Sequence, residues 1–186
     1  EEGYILKTGG YEVVDLGDDV YTQGKPHPMI DPEVRIKKIL ECAKDPQTGV
    51  ILLDCMLGYG CHPDMAGALA PAIREAQEIA KADGRELYFV ASVCGTRQDP
   101  QDYDRAVAKL KECGVLVEES NARAIRLALK LKGIDYKENT RGHVEAAVDE
   151  TPLPEPDEKI MELLNTKPRV INVGVRSFND SIVAYN

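Results

Sequence analysis

The chain has 186 residues, 43% of them hydrophobic and 30% charged, with 32 acidic against 23 basic side chains and a formal net charge of -9. That length accommodates one well-buried domain with an appendage rather than two full domains, and no stretch approaches the roughly 20 apolar residues of a membrane span. The acidic balance lacks the basic face that nucleic-acid binding requires, so any anion must be captured locally by backbone N–H groups and single arginines.

No charged, apolar and small-residue leader follows Glu1, so nothing resembles a signal peptide and a cytoplasmic protein is expected, while the start without methionine suggests a trimmed piece of a longer one. Cys42, Cys55, Cys61, Cys94 and Cys113 are an odd number in a core of ordinary composition, and read as reduced thiols rather than a disulfide framework. Residues 11–16 read as a first strand ended by Gly17-Asp18-Asp19, and 20–30 as an irregular loop with Gly24, Pro26 and Pro28. Asp31-Pro32 then opens a helix, the acid as cap and the proline in the first turn, which runs to about Ala43.

The run Val50-Ile51-Leu52-Leu53-Asp54 is a second strand, and Cys55-Met56-Leu57-Gly58-Tyr59-Gly60-Cys61-His62 a glycine loop beyond it. From Pro63 to Ala82 the apolar positions Met65, Leu69, Ile73 and Ala76 repeat at helical spacing, and Asp83-Gly84 stops the helix. Residues 87–93 form a third strand, apolar on both faces as expected under helices on both sides of a parallel sheet. Cys94-Gly95-Thr96-Arg97-Gln98-Asp99-Pro100 repeats the grammar of glycine loop, acidic cap and proline, before a helix over 100–113, a short strand over 115–117 and a Ser120-capped helix ending near Gly133. The tract 134–169 is a polar, proline-rich wrap with a short helix near 157–164; residues 170–186 bring a closing strand, Val170-Ile171-Asn172-Val173-Gly174, and the end of the same domain that begins with 1–133. These units describe an α/β fold, doubly wound and flavodoxin-like, with a mostly parallel sheet and helices on both faces.

Two loops should converge at the carboxyl ends of the strands, where α/β proteins bind ligands. Gly58, Tyr59 and Gly60 precede a helix N-terminus, while Gly95, Thr96 and Arg97 supply backbone, hydroxyl and a planar donor fork; together they suggest a phosphate or acyl-phosphate site. Turn geometry alone would also account for the glycines. Neither loop matches a Walker or dinucleotide fingerprint, which leaves no nucleotide cofactor in this domain. Cys61, His62 and Cys94 fall at the same edge without a zinc spacing, so no metal is assigned; pairing Cys94 with His62 or His27 as nucleophile and base rests on no spacing signal either. His143 lies in the polar appendage, far along the chain from both loops. Asp18, Asp19 and Asp54 with Thr96 also resemble the acidic pocket of a phospho-receiver, but no strand-end lysine completes it.

Five spaced motifs carry a family resemblance. Val14-Asp15-Leu16-Gly17-Asp18-Asp19, then Tyr21 through Pro32 with Arg35, is similar to the characteristic segment of FdrA-type proteins; Leu52-Leu53-Asp54 with Leu57-Gly58-Tyr59-Gly60, Val93-Cys94-Gly95-Thr96, Asp99-Pro100-Gln101 and Val170 through Gly174 follow in that family's order. The chain resembles the C-terminal ligase-type domain of these proteins, which are related to succinyl-CoA synthetase. The resemblance implies phosphate at the two glycine loops, and CoA or nucleotide only through other domains. It also implies other FdrA domains or partner subunits in a homo- or hetero-oligomer, with a second such domain facing this one. A Gly-His-Ala-Gly-Ala segment after the third strand is missing, so the resemblance does not extend to a phosphohistidine here. For activity it implies carbamoyl transfer in allantoin and purine catabolism, oxalurate and phosphate exchanging with oxamate and carbamoyl phosphate. An acyl-CoA synthetase component and a non-catalytic structural module are the alternatives.

Overall fold

A computed structural model describes residues 3–136, 155–167, 169, 171, 173 and 176–184. The chain divides into two units, Glu1–Asn139 and Thr140–Asn186. In the first, β3 (Val50–Met56) and β4 (Tyr88–Cys94) pair in parallel and in step, from Val50 opposite Tyr88 to Met56 opposite Cys94. β5 (Leu116–Glu118) joins β4 in parallel on its other side, giving the order β3-β4-β5. The connections are α3 (Met65–Ala82) and α4 (Tyr103–Glu112), with α2 (Glu33–Lys44) before the sheet and α5 (Asn121–Leu131) after it.

Alternation along β4 sends its side chains to two faces. Phe89, Ala91 and Val93 join Leu69 and Ile73 of α3, Ile39 and Ala43 of α2, and Leu110 of α4 in one buried core. On the opposite face Val90 is fully buried where α5, with its buried Ala124, covers the sheet. Leu52 and Leu116 stand on either side of Val90 in register and are each 39% exposed, so a single helix shelters the middle strand more fully than its neighbours. Helices on both faces of a parallel sheet are thus as the sequence predicts. The buried alanines of α3, from Ala66 to Ala80, let α2 approach closely, at little side-chain entropy cost. Pro71 lies on that helix's exposed side.

Several boundaries differ from expectation. The strand expected over 11–16 is β2 (Glu12–Val14), which pairs antiparallel with β1 (Tyr4–Lys7) in a separate hairpin and takes no part in the parallel sheet. The Gly9-Gly10 turn makes local pairing cheaper than a long-range parallel partner; it is closed by the Thr8 N–H on the Tyr11 carbonyl at 2.9 Å. Inside the expected 20–30 loop, α1 (Asp19–Thr22) forms, with the Asp18 carboxylate accepting from the Val20 N–H. α3 begins at Met65 rather than Pro63, and α4 at Tyr103 rather than Pro100, because Asp64 and Asp102 are their caps. In the second unit α6 (Glu158–Asn165) lies close to expectation, and α7 (Arg176–Ala184) is additional. Most of the expected closing strand over 170–174, like His143, lies outside the described residues.

The start of α3 is unusually constrained. Asp64 Oδ1 accepts from the Gly67 N–H at 3.0 Å, and its other oxygen receives the Lys109 ammonium from α4. A Cβ on Gly67 would lie 2.3 Å from that carboxylate. Glycine to alanine within a helix ordinarily stabilises by about 1 kcal/mol; here Gly67→Ala must displace the cap and should instead cost ~1 kcal/mol or more, which urea denaturation measures and which a more stable variant would contradict. Desolvation raises the Asp64 pKa, but the Lys109 ammonium and the Gly67 N–H together outweigh it and leave the carboxyl below its ordinary 3.8. The charge therefore contributes stability that is fully present above pH 3.8 and is lost as pH falls through the lower folded-state value. Asp64→Asn should be less stable than the parent near neutral pH, with the gap closing in acid.

Candidate functional site

Because β3 and β4 run in step, the loops 57–64 and 95–102 leave the sheet at the same level. The Leu57 N–H extends the pairing by donating to the Cys94 carbonyl at 2.9 Å. Gly95 is required by contact: a Cβ there would lie 2.6 Å from the Leu57 Cβ. Gly58 and Gly60 have φ of 128° and 82°, a region that favours glycine.

The first loop is pinned from outside by the Gln101 side chain and the Met29 backbone. Gln101 lays its carboxamide along the Gly58 peptide, Oε1 accepting from the Gly58 N–H at 2.9 Å and Nε2 donating to the Gly58 carbonyl at 3.0 Å. The same Nε2 reaches the His62 carbonyl at 3.3 Å. The His62 N–H donates to the Met29 carbonyl at 2.8 Å, and His62 Nδ1 accepts from the Asp64 N–H at 3.0 Å. Tyr59 and Gly60 are left at the tip, and among the described residues no acceptor takes their N–H groups. They line an open cavity of about 310 Å³ with Gly58, Cys61, Pro63, Pro100 and Gln101.

The second loop is closed on itself. The Thr96 N–H donates to Asp99 Oδ2 at 2.6 Å, and Thr96 Oγ1 accepts from the Gln98 N–H at 3.2 Å. Arg97 forms two hydrogen bonds with the Asp104 carboxylate, at 2.9 and 3.0 Å, and lies over the Tyr103 ring. Of the six residues singled out from the sequence, Gly58, Tyr59 and Gly60 line the cavity, Gly95 sets the contact between loops, Thr96 serves its own turn and Arg97 ties the loop to α4. The N-terminus of α3 is occupied by its own Asp64, so an anion in this cavity would depend on the loop N–H groups. In the sequence Gln101 stands only within the Asp99-Pro100-Gln101 motif; its signal is a long amide two residues after the Asp99 that closes the Thr96 turn.

The other groups at this edge are held apart from the cavity. Arg35, its side chain 11% exposed, donates to the Asp54 carbonyl and to Asp54 Oδ1, while Asp18 caps α1; Asp18 and Asp54 of the receiver pocket therefore have separate structural duties. No hydrogen bond joins Cys94 to His62 or His27 among the described residues, and none of these gathers three His, Cys, Asp or Glu side chains in a metal-binding group. Burial pushes the Cys55 thiol up to about 11, against the opposing pull of Arg35.

A family model described as CoA-ligase matches residues 5–131. An uncharacterized protein of Escherichia coli (strain K12), YahF, is 44% identical over 115 residues, which cover 62% of this chain and 22% of that relative. The chain thus spans about a fifth of the length of that curated relative.

Thiol reactivity provides a direct check of the edge geometry. Cys94 is exposed, whereas Cys55 and Cys113 are buried. Alkylation of the folded protein near neutral pH should modify Cys94 before either buried thiol, as mapped by peptide mass spectrometry, and Cys55 should react only on unfolding. Early labelling of Cys55 would show that its surroundings are open.

Proposed function

This chain belongs to the CoA-ligase family, and from that premise we propose that it is a ligase-type module whose 58–61 loop takes the phosphoryl end of an acyl phosphate. The observation that carries this reading is the open cavity at the carboxyl ends of β3 and β4, lined by Tyr59 and Gly60, whose N–H groups are unengaged among the described residues. Glycine at left-handed φ lets the backbone approach an anion that a Cβ would hold off. An acyl phosphate carries a phosphate beside a carbonyl, and positioned donors on its oxygens favour transfer as charge shifts between them.

The FdrA resemblance narrows the ligand to carbamoyl phosphate, formed when phosphate takes the carbamoyl group of oxalurate and oxamate leaves. Under this reading the module works in the cytoplasm, without a metal or nucleotide of its own. A second copy or another domain supplies the facing wall, and CoA or nucleotide enters through those other parts. The CoA-ligase description itself favours the second reading, an acyl-CoA synthetase component that would use the same phosphate subsite with a different acyl group.

Titration of the chain with inorganic phosphate and with carbamoyl phosphate, followed by backbone amide shifts, should move Tyr59 and Gly60 saturably. Gly60→Val should weaken binding at least about tenfold, equivalent to roughly 1.4 kcal/mol. Thr96→Ala should change it little, because the Thr96 N–H stays with Asp99. Absence of saturable binding would remove the anion reading. For the complete protein with its partners, the corresponding assay is phosphate-dependent conversion of oxalurate; failure to release oxamate there would leave acyl-CoA ligase chemistry.

A further inference from the structure

We propose that Gln101 is the positioning residue of this site: its carboxamide acts as a splint that fixes the 58–62 turn and decides which backbone N–H groups remain for the anion. The inference rests on the anion reading above for its consequence, but its geometry stands separately. A primary amide is the side-chain group that matches a peptide edge to edge, with one acceptor and one donor side by side. Gln101 uses both against Gly58, at 2.9 and 3.0 Å, and spends its second N–H on the His62 carbonyl at 3.3 Å. Three bonds from one side chain thereby tie the beginning and end of the turn, across a sequence separation that no local motif bridges.

The selection follows from this arrangement. With its N–H committed to Oε1, Gly58 is withdrawn as a donor, and its carbonyl is held by Nε2 and the Cys61 N–H rather than turned toward an incoming anion. The span between the two tied points contains Tyr59 and Gly60, whose N–H groups stay unengaged among the described residues. Gln101 also lines the cavity. Its amide is neutral, so it imposes this order without placing a negative charge beside the anion, as a glutamate would. The donors are ordered before the ligand arrives, which lowers the entropic cost of binding.

The test uses the 186-residue chain, with Gln101→Met to remove the three bonds at similar length and Gln101→Glu to keep an acceptor for the Gly58 N–H while losing both donor bonds. Amide hydrogen exchange and inorganic phosphate titration are read residue by residue. In Gln101→Met, exchange at Gly58 should accelerate at least about tenfold with β3 and β4 protection retained, and the phosphate dissociation constant should rise about tenfold. Gln101→Glu should keep more protection at Gly58 than Gln101→Met, yet bind phosphate more weakly than the parent. Unchanged exchange at Gly58 in Gln101→Met overturns the splint whether or not phosphate binds. A parent chain that does not titrate overturns the anion reading, while the exchange arm still decides the role of Gln101. Phosphate binding that is unaltered in both variants overturns the selection of donors.

Discussion

The in-step parallel pairing of β3 and β4 is the constraint on which the other features depend. Each backbone group along the shared edge finds its partner without a bulge, from Val50 opposite Tyr88 to Met56 opposite Cys94. Two loops consequently emerge level with one another, close enough that Gly95 has no room for a side chain beside Leu57. A slip of one residue would turn Phe89, Ala91 and Val93 out of the core and separate the loops together. Core packing and site geometry are therefore the same constraint seen from the middle and from the end of the sheet.

Polar bonding at this edge is divided between two tasks. Asp64, Asp99 and Asp104 each hold a donor that could otherwise serve a ligand: the Gly67 N–H, the Thr96 N–H and the Arg97 guanidinium. Gln101 holds a fourth, at Gly58, without adding charge. The result is a tip of two residues whose N–H groups have no partner among the described residues, beside a cavity, in a molecule whose overall charge of -9 gives anions no general welcome. Recognition in such a setting has to be short-range and dependent on loop shape, and the CoA-ligase family fold supplies the rigid strands that fix that shape.

The parts of the structure legible from sequence are those with a strong period or an unambiguous stop. α3 was visible in Met65, Leu69, Ile73 and Ala76, and the strands in apolar runs at 50–54 and 87–93, now β3 and β4 with small boundary shifts. Competing local choices were harder. Asp99, Asp102 and Asp104 all precede or open one helix, and any could cap it; contact with the Thr96 N–H takes Asp99 and leaves the cap to Asp102. The hairpin of β1 and β2 was hidden because the short, exposed Tyr4–Lys7 carries little burial pattern. Gln101 was illegible as a splint for a different reason, since its partners lie 39 to 43 residues earlier in the chain.

Pro71 gives the cap of α3 a particular mechanical character. With no N–H, it cannot bond back to the Gly67 carbonyl, and so the hydrogen-bond ladder of the helix has a missing rung just beyond its first turn. The turn that holds Asp64, Gly67 and the Lys109 contact is joined to the remaining helix by fewer bonds than any uninterrupted stretch would provide. The alanine face continues across the gap, with Ala66 and Ala70 before it and Ala72, Ala76 and Ala80 after it all buried. Where the ladder is interrupted, the first turn relies instead on its side chains: the Asp64 cap, the Lys109 contact and the buried Met65, Ala66 and Leu69.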